Sequence, residues 1–270
     1  MAPRGTVDAI QQNMGPVETM RDETLVYKSE IESHEAHSSH WWDLKGSMRP
    51  LHAMNKLRLP LIKDGLLATG RISESQAAKK TFLEGLRILD VGCGGGILCE
   101  ALAQAGGYVT GVDPSGELIA VARQHATSLN VRPPTYVCDT IEHHSAQYPD
   151  HYDVVIASEV VEHVPNPESF MTGCVAALKP GGSLFTTTPN RTVLSWFGAI
   201  FICENVLKIV PSGFHSWKQF IHHPELMTMI RNKGCNVCKV RGMFYDPIRN
   251  KWSWCFTPTL MYAIHSVKAH

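Results

Sequence analysis

No stretch of this 270-residue chain stays apolar for the roughly twenty positions that a bilayer-spanning helix needs, so a membrane-spanning reading is excluded. Charge of either sign is not in excess. Lysine plus arginine number 25 and aspartate plus glutamate also 25, whereas a protein that lives by neutralising phosphates would be strongly basic. No nucleic-acid partner is expected. The eight cysteines are scattered, and a chain of this length needs no covalent staples, so they read as reduced thiols of an intracellular protein. Charged residues make up only 19%, too few for a disordered chain, while a hydrophobic share of 44% can build a real core.

A leader pattern is also missing. Residues 1–40 hold three basic residues against seven acidic ones, where a mitochondrial transit peptide would be Arg-rich and a secretory signal would carry an apolar centre. His34, His37 and His40 stand three apart, but a polar helix leading into the fold explains them better than a metal site. From Trp41-Trp42-Asp43 the texture changes. Leu51, Met54, Leu57 and Leu61 recur at helical steps, with Arg58 on or beside that face and available to a ligand carboxylate.

Arg87-Ile88-Leu89-Asp90-Val91 is a short apolar run followed at once by Gly92-Cys93-Gly94-Gly95-Gly96 and a helical period at Ile97, Leu98, Ala101 and Leu102. Strand, glycine turn and helix open a nucleotide-binding α/β unit, because the backbone must turn sharply and approach a ligand closely. The dinucleotide fingerprint G-x-G-x-x-G fails in both frames, which counts against a nicotinamide-dependent dehydrogenase. Asp90-x-Gly92-x-Gly94-x-Gly96 instead has the spacing of S-adenosylmethionine-dependent methyltransferases. A second strand, Tyr108 to Asp113, ends in an acid placed to accept both ribose hydroxyls, the alternative being a helix cap near Pro114. A third, Thr135 to Cys138, ends at Asp139, placed to read the adenine amino group. A fourth, Tyr152 to Ala157, leads into Ser158-Glu159, and a fifth, Ser183 to Thr187, follows the turn Leu178-Lys179-Pro180-Gly181-Gly182. This alternation predicts a mostly parallel sheet covered by helices on both faces, with the ligand beyond its carboxyl edge.

Glu159, Glu162 and His163 lie just past the fourth strand. If that turn is helical, they share one face at i, i+3 and i+4, and a divalent cation would relieve the repulsion of the two acids. Such a cation would also lower the pKa of a coordinated hydroxyl. The residues alone leave a second route open, in which His163 is a general base and no metal takes part. Farther on, Thr192 to Cys203 is apolar but too short to span a membrane, and reads as a lid or an interfacial segment with Trp196 and Phe197 exposed. His215, Trp217, Phe220, His222 and His223 are candidates for a substrate entrance. Cys235-x-x-Cys238 has no partner pair and falls in an alternating run, so ordinary thiols are expected.

Trp41-Trp42-Asp43, Pro50-Leu51-His52-Ala53-Met54-Asn55, Leu89 to Leu98 and Glu159 to Val164 together resemble the ubiquinone-biosynthesis O-methyltransferases, as do Thr188 to Thr192 and Gly242 to Pro247. The likeness runs from about Ser39 to the end. It implies a class I methyltransferase with a Rossmann-like α/β fold and a mostly parallel seven-stranded sheet. The expected layout is a polar tail (1–40) and a methyltransferase domain (41–270), the latter divided into N-terminal helices (41–80), a cofactor-binding core (81–191), an apolar insertion (192–230) and C-terminal strands (231–270). The resemblance implies methyl transfer from S-adenosylmethionine to polyprenylated catechols, dihydroxy-polyprenylbenzoate and demethylubiquinol. By motif position it assigns Arg58, Gly92, Asp113 and Ser158 to that cofactor, beside Asp90, Gly94, Gly96 and Asp139, and it assigns Glu159, Glu162 and His163 to Mg²⁺. It also implies a peripheral place on the matrix side of the mitochondrial inner membrane, with partners in a biosynthetic complex. Action on another small phenol and a non-catalytic scaffold of such a complex are the alternatives.

Overall fold

A computed structural model describes residues 31, 32, 35, 38–192 and 220–270. The insertion's Trp196, Phe197, His215 and Trp217, and the tail's His34 and His37, lie outside them.

The four central runs form the strands their composition predicts: β1 Arg87–Val91, β2 Tyr108–Asp113, β3 Thr135–Cys138 and β4 Tyr152–Ser158. β5 runs from Leu178 to Pro189, taking in the Lys-Pro-Gly-Gly stretch that the sequence suggests as a turn, with a register shift between Tyr152 and Val154 of β4. β6 Cys235–Asp246, β7 Lys251–Cys255 and β8 Met261–Lys268 complete one sheet of order β3-β2-β1-β4-β5-β8-β6-β7. Pairings from β3 through β5 are parallel, and those of β8, β6 and β7 are antiparallel.

Among the described residues the sheet has eight strands, not the seven expected. The additional strand is β7. Asp246 Oδ1 accepts the N–H groups of Ile248 and Arg249 at 3.0 and 3.1 Å, closing a turn by the side-chain mechanism that favours aspartate there. Trp252 on the returning strand then buries its ring and donates Nε1–H to the Pro50 carbonyl at 2.8 Å.

Helices cover both faces: α1 Arg49–Ala68, α2 Glu74–Ala77, α3 Ile97–Gln104, α4 Gly116–Ala126, α5 Ile141–Gln147, α6 Pro167–Ala177 and α7 His223–Asn232. Side chains alternate across a strand, so β1 sends Ile88 to one core with Leu61, Leu66 and Leu102, and Leu89 to the other with Met171 and Leu184. Each such side chain contributes on the order of 2 kcal/mol by leaving water. The buried stripe of α1 (Met54, Leu57, Leu61) is the one its spacing predicts, and Arg58 is buried with it.

Candidate active site

The glycine turn after β1 sits where the first strand meets α3. Gly92, Gly94 and Gly96 adopt φ of +69°, +51° and +89°, the left-handed region where a Cβ is costly. Space is equally short. A Cβ on Gly92 would stand 2.4 Å from Val160 Cγ2, and one on Gly95 would stand 2.3 Å from Trp41 Cδ1. The turn is tied to β2 through Asp113, whose Oδ2 accepts the Gly94 N–H at 2.8 Å and whose Oδ1 accepts the Ser115 N–H at 2.9 Å. Ser115, not Asp113, caps α4: its Oγ accepts the Leu118 N–H at 3.1 Å. Asp113 is thus not the cap of α4, the role that rivalled ribose binding.

A cavity of about 500 Å³ opens at this carboxyl edge of the sheet, a size suited to a small organic ligand. Arg58, Asp90, Gly92, Gly94, Asp113, Asp139, Ser158, Glu159 and His163 all line it. Nine of the eleven residues singled out from the sequence therefore meet at one wall. Gly96 does not line it; its missing side chain instead makes room for Tyr136, whose hydroxyl would lie 2.4 Å from a Cβ. Glu162 is the other exception, buried behind the wall with its Oε2 accepting from Thr188 Oγ1 at 2.8 Å.

The charges at this edge are not bare. Asp90 is buried, accepts from Cys99 Sγ–H at 3.1 Å, and burial pushes its carboxyl up to about 6. Arg58 stands beside Asp90 and Glu159, donates to Asn55 Oδ1 at 3.2 Å, and leaves its buried Nε–H without a hydrogen-bond acceptor among the described residues. Burial lowers its pKa, and the two neighbouring carboxylates oppose that effect. Buried polar groups are rarely unpaired. A guanidinium N–H left over in a cavity wall fits a site that receives an anionic group. Asp139 accepts from the Thr140 N–H at 2.8 Å, and one of its oxygens is 2.8 Å from His143 Nδ1.

The Glu159–His163 segment departs from the helical turn expected of it. Glu159 closes β4 in the left-handed region at φ +61°, an uncommon and strained state for a residue with a Cβ, and the next four residues form a turn rather than a helix. Thr187 Oγ1 donates to Glu159 Oε1 at 2.8 Å and lies 2.6 Å from Ser158 Oγ, while Thr188 holds Glu162. Among the described residues no three His, Cys, Asp or Glu side chains converge as a metal site. The left-handed backbone at Glu159 and the turn that follows remove the helical face on which Glu159, Glu162 and His163 were expected to meet a cation. His163 does face the cavity, and its Nε2 lies 4.0 Å from Glu162 Oε1.

A family model described as a methyltransferase domain matches residues 89–186. The mitochondrial ubiquinone biosynthesis O-methyltransferase of Rattus norvegicus is 42% identical over 247 residues, 90% of this chain and 70% of that protein. The human counterpart is 41% identical over 250 residues, 92% of this chain and 66% of its own length. The ubiquinone biosynthesis O-methyltransferase of Photorhabdus laumondii is 41% identical over 241 residues, 89% of this chain and 94% of that protein. The chain belongs to the ubiquinone-biosynthesis O-methyltransferase family. It is an S-adenosylmethionine-dependent O-methyltransferase by class. The fold is shared more widely: a magnesium protoporphyrin IX methyltransferase from Synechocystis with bound SAH superposes with a TM-score of 0.59 at 17% identity, covering 93% of this chain and 99% of that one.

Within this methyltransferase, sequence reasoning missed several participants. Thr187 and Thr188 hold the two acids, and Glu35 Oε1 accepts from Ser115 Oγ at 2.6 Å beside Asp113. Ile31 and Trp41 line the cavity. Only Trp41 carried a signal, its place in the Trp-Trp-Asp motif. Of the proposed entrance residues, Phe220 is buried at 1% exposure, and neither His222 nor His223 lines the cavity. Cys235 is buried and Cys238 exposed, both free thiols as expected.

Proposed function

We propose that this protein transfers the methyl group of S-adenosylmethionine to a phenolic hydroxyl of a polyprenylated catechol during ubiquinone biosynthesis, with dihydroxy-polyprenylbenzoate and demethylubiquinol as the two substrates. One observation carries the reading: His163 shares a cavity wall with Asp113 and the glycine turn, in a chain of this family. Asp113 would take the ribose hydroxyls, Asp139 the adenine amino group, and Arg58 the carboxylate of the cofactor's amino-acid end. Gly92 and Gly94 would let the backbone approach the ligand, with Ser158 and Asp90 completing that wall.

His163 is the general base. It takes the phenolic proton as the oxygen forms its bond to the methyl carbon and the carbon–sulfur bond breaks, so the cationic sulfonium becomes a neutral thioether. Glu162, at ion-pair distance behind the ring, opposes the positive charge that His163 then carries. Holding the reacting atoms together in one cavity supplies the remainder. Among the described residues no three His, Cys, Asp or Glu side chains form a metal site, and the route proposed is the general-base one through His163.

The mammalian relatives are named as mitochondrial, and the same location is proposed for this chain. No helix among the described residues is long and apolar enough to cross a membrane. The proposed setting is peripheral, on the matrix side of the inner membrane, where the polyprenyl tail stays in lipid and complex partners dock. Transfer of radiolabelled methyl to a short-chain catechol acid, with chelator or added divalent ions, tests the reaction. Label in the phenolic ether supports the reading, and abolition by chelator would return the metal to the account. Absence of transfer under every ionic condition would leave a scaffold or another phenol as the function.

A further inference from the structure

Trp41 is 4% exposed, and its indole Nε1–H has no hydrogen-bond acceptor among the described residues. Buried tryptophans nearly always place that N–H on a partner. The ring lies across the glycine turn, since a Cβ on Gly94 would meet Trp41 Cζ2 at 2.5 Å and one on Gly95 would meet Trp41 Nε1 at 2.7 Å. It also lines the cavity. Its placement is enforced by its neighbours. Trp42 donates Nε1–H to the Gly95 carbonyl at 3.0 Å and stacks on His125 with ring centres 3.5 Å apart, and His52 Nε2 lies 3.0 Å from the Trp41 carbonyl. The residue is therefore clamped in position with a donor left over.

The sheet order says which part of the cofactor meets that donor. Asp113 ends β2 and Asp139 follows β3, on one side of the glycine turn, and the two suit the nucleoside. Arg58 stands toward β1 and β4, beside Asp90 and Glu159, and its own Nε–H is likewise unpaired and buried. Trp41 and Arg58 both line the cavity, each with a buried N–H lacking an acceptor among the described residues, and such a pair, one of them cationic, matches a carboxylate. We infer that Trp41 is a cofactor-binding residue whose indole N–H donates to the carboxylate of the cofactor's amino-acid end, beside Arg58. This rests on the S-adenosylmethionine assignment and not on the identity of the phenol.

The test compares two ligands that differ at that end. S-adenosylhomocysteine carries the carboxylate, and 5′-methylthioadenosine has the nucleoside and sulfur without it. Calorimetry on the full chain should show Trp41→Phe weakening S-adenosylhomocysteine about tenfold, the size of one charge-assisted hydrogen bond, while 5′-methylthioadenosine binds within about twofold of wild type. Equal loss for both ligands would reduce Trp41 to packing and overturn the inference, as would no loss for either. Wild-type protein that binds neither ligand would instead overturn the cofactor assignment itself. Indole ¹⁵N–¹H spectra of the unmutated protein give an independent reading if the variant does not fold. The Trp41 resonance, assigned through its contacts with Gly94 and Gly95 protons, should move with S-adenosylhomocysteine and stay with 5′-methylthioadenosine; the same movement with both would overturn the inference.

Discussion

The carboxylate of Asp113, at the end of the second strand, holds the backbone N–H of Gly94, nineteen residues earlier, at 2.8 Å. One side chain therefore shapes the glycine turn and lines the cavity in which the ribose is proposed to bind. Asp113→Asn keeps the volume and loses one charged acceptor. Binding of S-adenosylhomocysteine should weaken by roughly ten- to a hundredfold, as expected for one or two hydrogen bonds to a charged group. Calorimetry reads this directly, and affinity retained within about threefold would mean that Asp113 only holds the turn.

Gly95→Ala should be destabilising through a single contact. Its added methyl would stand 2.3 Å from Trp41 Cδ1, and Trp41 cannot retreat without leaving its buried place. Overpacking of this kind costs about 1–3 kcal/mol, read as a lower midpoint in urea. In a Trp41→Ala background the same change should cost little, since residues in contact do not add. Equal costs in both backgrounds would refute the contact.

His163→Ala should lower kcat by about a hundredfold or more while S-adenosylhomocysteine binding stays near the wild-type value, because the imidazole is assigned to the phenolic proton. Glu162→Gln and Thr188→Val should give smaller losses in kcat, since they act through His163 and line no part of the cavity. Steady-state kinetics beside calorimetry separate these cases. A His163→Ala enzyme with full kcat would remove the general base from the account.

The core carries a pH signature of its own. His265 is stacked on Phe185 with ring centres 4.4 Å apart, and burial pushes its pKa down to about 4. An unfolded histidine titrates near pH 6.5. Between about pH 4 and 6.5 the unfolded chain holds a proton here that the folded chain does not, so stability falls as pH drops through that window. Asp90, pushed up to about 6, has the opposite slope, because its folded form binds the proton first. The difference between wild type and His265→Gln isolates the histidine. Wild type should lose on the order of 3 kcal/mol relative to the variant between pH 7 and pH 4, measured by urea unfolding. Parallel pH curves would show that His265 titrates normally in the fold.

Much of the fold was readable because local pattern and tertiary context agree. Each central strand is a short apolar run ending at a glycine or an acid, and β1 and β2 begin and end where the residues predict. β7 was not legible: its Lys-Trp-Ser-Trp-Cys run is short, and its partner is set by the Asp246 turn and by Trp252 meeting Pro50, a contact 202 residues away. The site was legible where the motif itself touches the cavity, as at Gly92, Asp113 and His163. It failed at Glu162, which does not line the cavity, because helical spacing was assumed where Glu159 adopts a left-handed backbone and a turn follows. Thr187 and Thr188 were beyond reach, since nothing local marks a β5 residue as a partner for side chains 26 to 28 positions away.

The most direct measurement is the fate of a labelled methyl group. S-adenosylmethionine labelled in its methyl carbon, incubated with this enzyme and a short-chain dihydroxy-prenylbenzoate, should place the label on one phenolic oxygen. Transfer should persist in chelator and fall with His163→Ala. Cofactor binding with no label transferred to any catechol, with or without divalent ions, would contradict the assignment.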